Sequence, residues 1–379
     1  KAIEYELTEF ILYSSRYLRT HYGTIMADPD RFEYYDEHFK RYLKIYEIEQ
    51  RAEEYFTRTV IPVIRKKAED DTYKTAMGYY EELKPYMAEY GSPFLHMFGN
   101  YIHVTALLVI NDYQNTIEVC EEAIQFFEAK PYKYFTPLRI FLHHQLICYT
   151  QLKNYEMGKL AAEKSASLIN PGTLSWFVNN ELHTILALHS KCYEDAKEIL
   201  FKTIKFYKFK TMQQTVQEKW YIYEAYIHFL TFIGKIEQKT DTKRFRLGKF
   251  LNSIPTFSKD KRRLNIPILI IQILFMIVKK DYDQAIDRFE AIEKYCSRYL
   301  RKDDNFRSNC FIKMLLQIPN ANFHKIAVER KAKKYLTQLK SVPLEVASQA
   351  HEVEIIPYED LWDMIMEFLG NKFHRPKRR

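Results

Sequence analysis

Aromatic residues recur along this chain at a nearly fixed interval, and no other feature restricts its fold as tightly. Phe32, Tyr73, Tyr113, Tyr155, Tyr193, Phe245, Tyr282 and Phe323 stand 41, 40, 42, 38, 52, 37 and 41 residues apart. Self-similarity at this period marks stacked supersecondary units, each too small to bury its own apolar faces. The one long interval spans the polar stretch Gly234-Lys235-Ile236-Glu237-Gln238-Lys239-Thr240-Asp241, which reads as an extended loop between the two helices of one unit.

Five of the aromatics share a local pattern. After Tyr73, Tyr113, Tyr155, Tyr193 and Tyr282, a small residue follows at +3 (Ala76, Thr116, Gly158, Ala196, Ala285), and Tyr80, Cys120, Ala162, Leu200 or Phe289 follows at +7. On a helix those two positions form one stripe. A small side chain there lets two antiparallel helices approach closely, while the ring wedges against the preceding helix. The residue before most of these rings, such as Asp112, Asn154 or Asp281, is of a type that caps a helix N-terminus.

Composition agrees with long helices joined by short loops. The chain has 379 residues, 47% hydrophobic, with only 9 Gly and 13 Pro, too few turn-formers for a protein of many β-hairpins. Cys120, Cys148, Cys192, Cys296 and Cys310 are odd in number and contain no Cys-x-x-Cys pair, which reads as packed, reduced thiols in a cytoplasmic protein. The first residues, Lys1-Ala2-Ile3-Glu4, do not resemble a secretory signal; the missing Met suggests that an upstream part was removed. The longest apolar run, Ile266 to Val278, is broken by Gln272 and is shorter than the ~20 residues a bilayer requires, so it reads as a buried helix. Of the net charge of +8, five positive charges (Lys372, Arg375, Lys377, Arg378, Arg379) crowd the last eight residues, so the rest carries +3. A body so nearly balanced attracts a polyanion weakly.

The repeated pattern resembles tetratricopeptide repeats, whose second helix opens with Asp/Asn-Tyr-x-x-Ala. The match is clearest across 133–171, with Leu142 and Tyr149 on a first helix, Tyr155, Gly158 and Ala162 on a second, and Pro171 beyond its end. The period of ~40 exceeds the family's ~34, and the family's Leu-Gly pair on the first helix is missing. The resemblance is to divergent, tetratricopeptide-like arrays such as those of bacterial peptide-sensing regulators. It implies an all-α fold: a right-handed α-solenoid of about eight antiparallel hairpins with a C-terminal capping helix, as a single domain over 1–370. Within it, 1–70 hold divergent hairpins, 71–341 the clearest repeats and 342–370 the capping segment, and 371–379 form a basic tail. First helices are predicted near 3–22, 48–68, 92–110, 134–151, 173–190, 213–233, 263–279 and 304–317. Their partners are predicted near 30–46, 72–89, 112–129, 154–169, 193–208, 242–253, 281–298 and 322–340, and the last helix near 357–370. Pro62 and Pro85 fall inside predicted helices and are expected to kink or end them.

Residues that could carry chemistry do not assemble into a site. His143 and His144 are adjacent, so on a helix they point about 100° apart and cannot share a metal as an i/i+4 pair does. His96 and His103 lie two turns apart with no ligand-type residue at metal spacing between them. No Gly-x-Ser-x-Gly, no phosphate-cradling glycine loop and no paired Cys and His occur. Acidic residues such as Glu121, Glu122, Glu181 and Glu224 read as solvated helix faces. The expectation is a protein without catalytic activity, metal or cofactor. The 30 Tyr and 26 Phe could stack on nucleobases, but many of them occupy the repeat positions.

In the resembled family the first helix of each hairpin lines the concave, ligand-binding side. That register places Tyr101, Thr105, His144, Gln151, Glu181 and Leu188 on the inner surface, a mixture suited to an extended peptide. The leading expectation is therefore a cytoplasmic scaffold that binds a protein or peptide and makes no use of a membrane. Two alternatives remain: the peptide-sensing module of a regulator whose effector domain lies upstream, and RNA binding by a helical-repeat surface. The partner's identity, the oligomeric state and the role of the basic tail are not legible in the sequence.

Overall fold

Four of the recurrent rings begin helices. In the computed structural model, which describes residues 2–65, 67–68, 70–237, 262–299, 306–344 and 354–374, Tyr113, Tyr155, Tyr193 and Tyr282 are each the first residue of a helix. The +3 residues are buried without exception: Ala76, Thr116, Gly158, Ala196 and Ala285. At +7, Cys120, Ala162, Leu200 and Phe289 are buried and Tyr80 is half-buried. Asp112 caps its helix through a bond from the Asn115 amide, and Asn154 does so through Met157, whereas Cys192 makes no side-chain cap.

The described residues are all-α, with fifteen α-helices and no strand. They are α1 Thr8–Thr24, α2 Pro29–Ile64, α3 Asp70–Tyr90, α4 Pro93–Val109, α5 Tyr113–Glu128, α6 Phe135–Gln151, α7 Tyr155–Ser167, α8 Leu174–His189, α9 Tyr193–Ile204, α10 Gln214–Phe232, α11 Arg262–Val278, α12 Tyr282–Tyr299, α13 Phe306–Asn320, α14 Lys325–Lys340 and α15 Tyr358–Phe368. Sequential neighbours pack together, α1 on α2, α4 on α5, α8 on α9, α11 on α12 and α13 on α14.

One turn closes six of the helices. α4, α6, α8, α10, α11 and α13 are each followed by a residue in the left-handed region: Asn111, Lys153, Lys191, Gly234, Lys280 and Asn322, at intervals of 42, 38, 43, 46 and 42 residues. The next amide in each case bonds back to a carbonyl five residues earlier: Asp112 to Leu107, Asn154 to Tyr149, Cys192 to Ala187, Lys235 to Leu230, Asp281 to Met276 and Phe323 to Ile318, all at 2.8–3.0 Å. This is the Schellman closure, which satisfies carbonyls that a helix end leaves open. Its repetition gives every one of these first helices the same exit.

One expectation is corrected. Residues 30–46 and 48–68 were predicted as separate helices, but α2 is one helix of 36 residues. Tyr46-Glu47-Ile48 contains no Gly, Pro or capping residue, so nothing stops it there. Pro62 and Pro85 do not end their helices either. Pro62 lies in the last turn of α2, and α3 continues past Pro85 to Tyr90, forgoing one amide bond. The helix predicted at 242–253, with Phe245, lies outside the described residues.

The chain divides into two compact units, Lys1–Cys148 with Glu163–Leu168, and Tyr149–Ala162 with Ile169–Arg379. In the first, Ile48, Ala52, Leu83, Met87, Leu95 and Ile102 join α2, α3 and α4. Its core also holds a carboxyl: Glu49 accepts bonds from Thr8 and Ser92, and burial raises its pKa. In the second unit α11 is buried nearly all round, from Ile266 to Ile277, as the apolar run predicted. α15 packs on α11 and α14 and buries Leu361, Trp362 and Ile365. Behind it Arg307 of α13 uses its fork fully, on both carboxylate oxygens of Glu354, on Glu359, and on the carbonyls of Leu339 and Val342. The start of the basic tail is docked: Phe373 stacks on His324 at 4.2 Å, and His374 pairs with Asp283 at 3.0 Å. Residues 375–379 lie outside the described residues.

Candidate functional site

First helices, those that end in the left-handed turn, carry all six residues singled out by the register. Tyr101 and Thr105 are on α4, His144 and Gln151 on α6, and Glu181 and Leu188 on α8. Tyr101, Thr105 and His144 belong to the first unit, the other three to the second.

In the first unit the structure brings Tyr101 and His144 together, ring edge to ring face, with centroids 5.1 Å apart. Phe56 of α2 lies 4.7 Å from Tyr101 and 5.0 Å from Phe98, and Phe94 lies 4.7 Å from Phe98. Phe94, Phe98 and Tyr101 follow i, i+4, i+7 spacing and are half-buried, so α4 presents an aromatic strip ending at an imidazole. The sequence reading missed Phe56, Phe94 and Phe98, although the spacing of the last two with Tyr101 was visible. Burial, with His143 beside it, lowers the His144 pKa to about 3, and burial raises the Tyr101 phenol. His144 is therefore a neutral ring, with one donor and one acceptor nitrogen.

Thr105 and Leu188 are not surface positions. Thr105 is 6% exposed and donates to the Tyr101 carbonyl at 2.7 Å, and Leu188 is fully buried. The register assumed that one face stays open along each helix. Neighbours enclose the second half instead: Val104 to Leu107 of α4 and Ile185 to His189 of α8 are all buried. In the second unit Glu181 pairs with Lys219 at 2.7 Å and accepts from the buried Tyr223 hydroxyl at 2.8 Å, so it ties α8 to α10.

Several polar atoms on first helices are buried without a hydrogen-bond partner among the described residues. They are His103 Nδ1 on α4, His144 Nδ1 and Gln151 Oε1 on α6, Asn179 Oδ1, His183 Nε2 and His189 Nδ1 on α8, and Gln272 Oε1 on α11. Tyr193 OH, on the second helix α9, is a further one.

A cleft of about 430 Å³ lies off these helices, lined by Phe127, Pro131, Leu138, Lys130, Lys133 and Lys164. Two of its lysines are already paired, Lys130 with Glu6 and Lys164 with Glu128, each at 2.8 Å. Among the described residues, no group of three or more His, Cys, Asp or Glu side chains is arranged to hold a metal ion. No helix of the described residues is long and apolar enough to cross a membrane. Comparison with protein-family models, curated proteins and solved structures finds no match in any of the three.

Proposed function

We propose that the chain is a non-catalytic binding scaffold of about eight tetratricopeptide-like hairpins, whose first unit receives an extended peptide or protein segment on the first helices α4 and α6. The observation that carries this reading is that His103 Nδ1 on α4 and His144 Nδ1 on α6 are both buried with no hydrogen-bond partner among the described residues. Each unmade bond costs about 1–3 kcal/mol. A peptide backbone, with a donor and an acceptor at nearly every residue, supplies the missing groups once the side chains turn toward it. The strip Phe94, Phe98 and Tyr101 supplies the apolar contact that polar contacts alone lack.

The test is selection of binders from a random peptide library displayed on phage, followed by fluorescence anisotropy on the enriched peptides. His144→Ala weakens binding about tenfold or more, equal to ~1.4 kcal/mol, while Leu160→Ala on α7 leaves it unchanged and circular dichroism shows both folded. No enrichment, or affinity indifferent to His144, overturns the reading.

A further inference from the structure

The outer face of α1 is apolar where a surface helix is ordinarily charged. Thr8, Ile11 and Ser15 are buried on its inner face, and α1 packs against α2. On the opposite face Phe10, Tyr13 and Tyr17 are 64%, 74% and 65% exposed, and Ile3 and Leu7, just before the helix, are 52% and 44% exposed. An exposed patch of several hundred Å² on one face is characteristic of an association surface.

The spacing of that face is specific. Phe10, Tyr13, Tyr17, Thr20 and Thr24 follow one another by three and four residues, the seam spacing of a coiled coil. Glu9 and Arg16 flank the seam on one side, seven residues apart, and both are exposed. Among the described residues neither forms an ion pair within the chain. In an antiparallel pair of identical helices like flanks meet, so Glu9 of each copy lies against Arg16 of the other, and the same register sets Phe10 against Tyr13. A parallel pair would place Glu9 beside Ser14 and Arg16 beside His21, with no opposite charges matched.

We infer that α1 associates with α1 of a second copy of this chain, antiparallel about a two-fold axis, through Phe10, Tyr13 and Tyr17, with reciprocal Glu9–Arg16 pairs fixing the register. A two-fold interface uses one patch twice and so needs only self-complementarity, which this face has. At 150–250 Å² for each aromatic side chain, the exposed parts of the three rings offer on the order of 400 Å² per copy. With Ile3 and Leu7 the two copies together bury on the order of 1,200 Å², the lower end of specific interfaces. The dimer is accordingly weak and concentration-dependent.

Sedimentation velocity of the whole chain over a concentration series tests this. The expected result is a monomer of 45.7 kDa converting to a dimer as concentration rises to roughly tens of micromolar, as for a small, weak interface. Tyr13→Glu, on a face that α2 does not touch, holds the chain monomeric with an unchanged circular dichroism spectrum. Glu9→Arg weakens the dimer, and Glu9→Arg with Arg16→Glu restores it. A wild-type chain that stays monomeric throughout, or a dimer indifferent to Tyr13→Glu, overturns the inference. Failure of the double exchange to restore association overturns the antiparallel register.

Discussion

Gly158 shows what a single side chain decides in this fold. A Cβ added there would fall against Leu186 Cδ2 and 3.1 Å from Tyr149 Cβ. Gly158→Ala is expected to destabilise the chain by about 1–3 kcal/mol, as overpacking does. Gly78 of α3 is exposed, and a Cβ there meets nothing within 4 Å. Gly78→Ala is expected to stabilise by about 0.5–1 kcal/mol, because alanine loses less backbone freedom in a helix. Chemical denaturation of the two variants beside the wild type checks both signs. The buried histidines make a second prediction. Burial, chief among the causes, lowers His144 to about 3 and His183 and His189 each to about 4, from 6.5. An unfolded chain takes up these protons near pH 6.5 and the folded chain does not, so their stabilising share is complete above 6.5. It drains as pH falls from 6.5 toward 4, by several kcal/mol in all (order of magnitude). His144→Gln removes its part of that slope in urea titrations between those pH values; an unaltered slope would place the titration elsewhere.

At the scale of the element, the left-handed turn is the structural constant. Five of its six occurrences use Asn or Lys rather than Gly, and a non-glycine residue in this region pays about 1 kcal/mol of strain. Lys153→Gly is thus expected to stabilise by about 1 kcal/mol and Gly234→Ala to destabilise by a similar amount, both readable as shifts of the denaturation midpoint. The turn was hidden in the sequence because Asn-Asp, Lys-Asn and Lys-Cys carry no common signature; what repeats is backbone conformation. The rings and the small residues at +3 were legible because close helix approach constrains side-chain size directly. The break predicted inside α2 failed for the opposite reason: a repeat period was imposed on a stretch with no residue able to end a helix.

For the whole molecule, periodicity announced the all-α class and the sequential packing of helices, and the apolar run at Ile266 announced the buried α11. The candidate site was legible only in part. Tyr101 and His144 do meet, but Thr105 and Leu188 are interior, since exposure depends on neighbouring helices that a repeat register cannot see. The aromatic strip on α4 and the unpartnered polar atoms emerge only once helices are placed side by side. The most direct test of the binding account places a photoreactive benzoylphenylalanine at Tyr101 of α4 or at Leu160 of α7, which is 59% exposed, and irradiates each protein with a selected peptide. The account predicts crosslinking from position 101 and none from position 160. Crosslinks from 160 alone, or from neither position under saturating peptide, would contradict it.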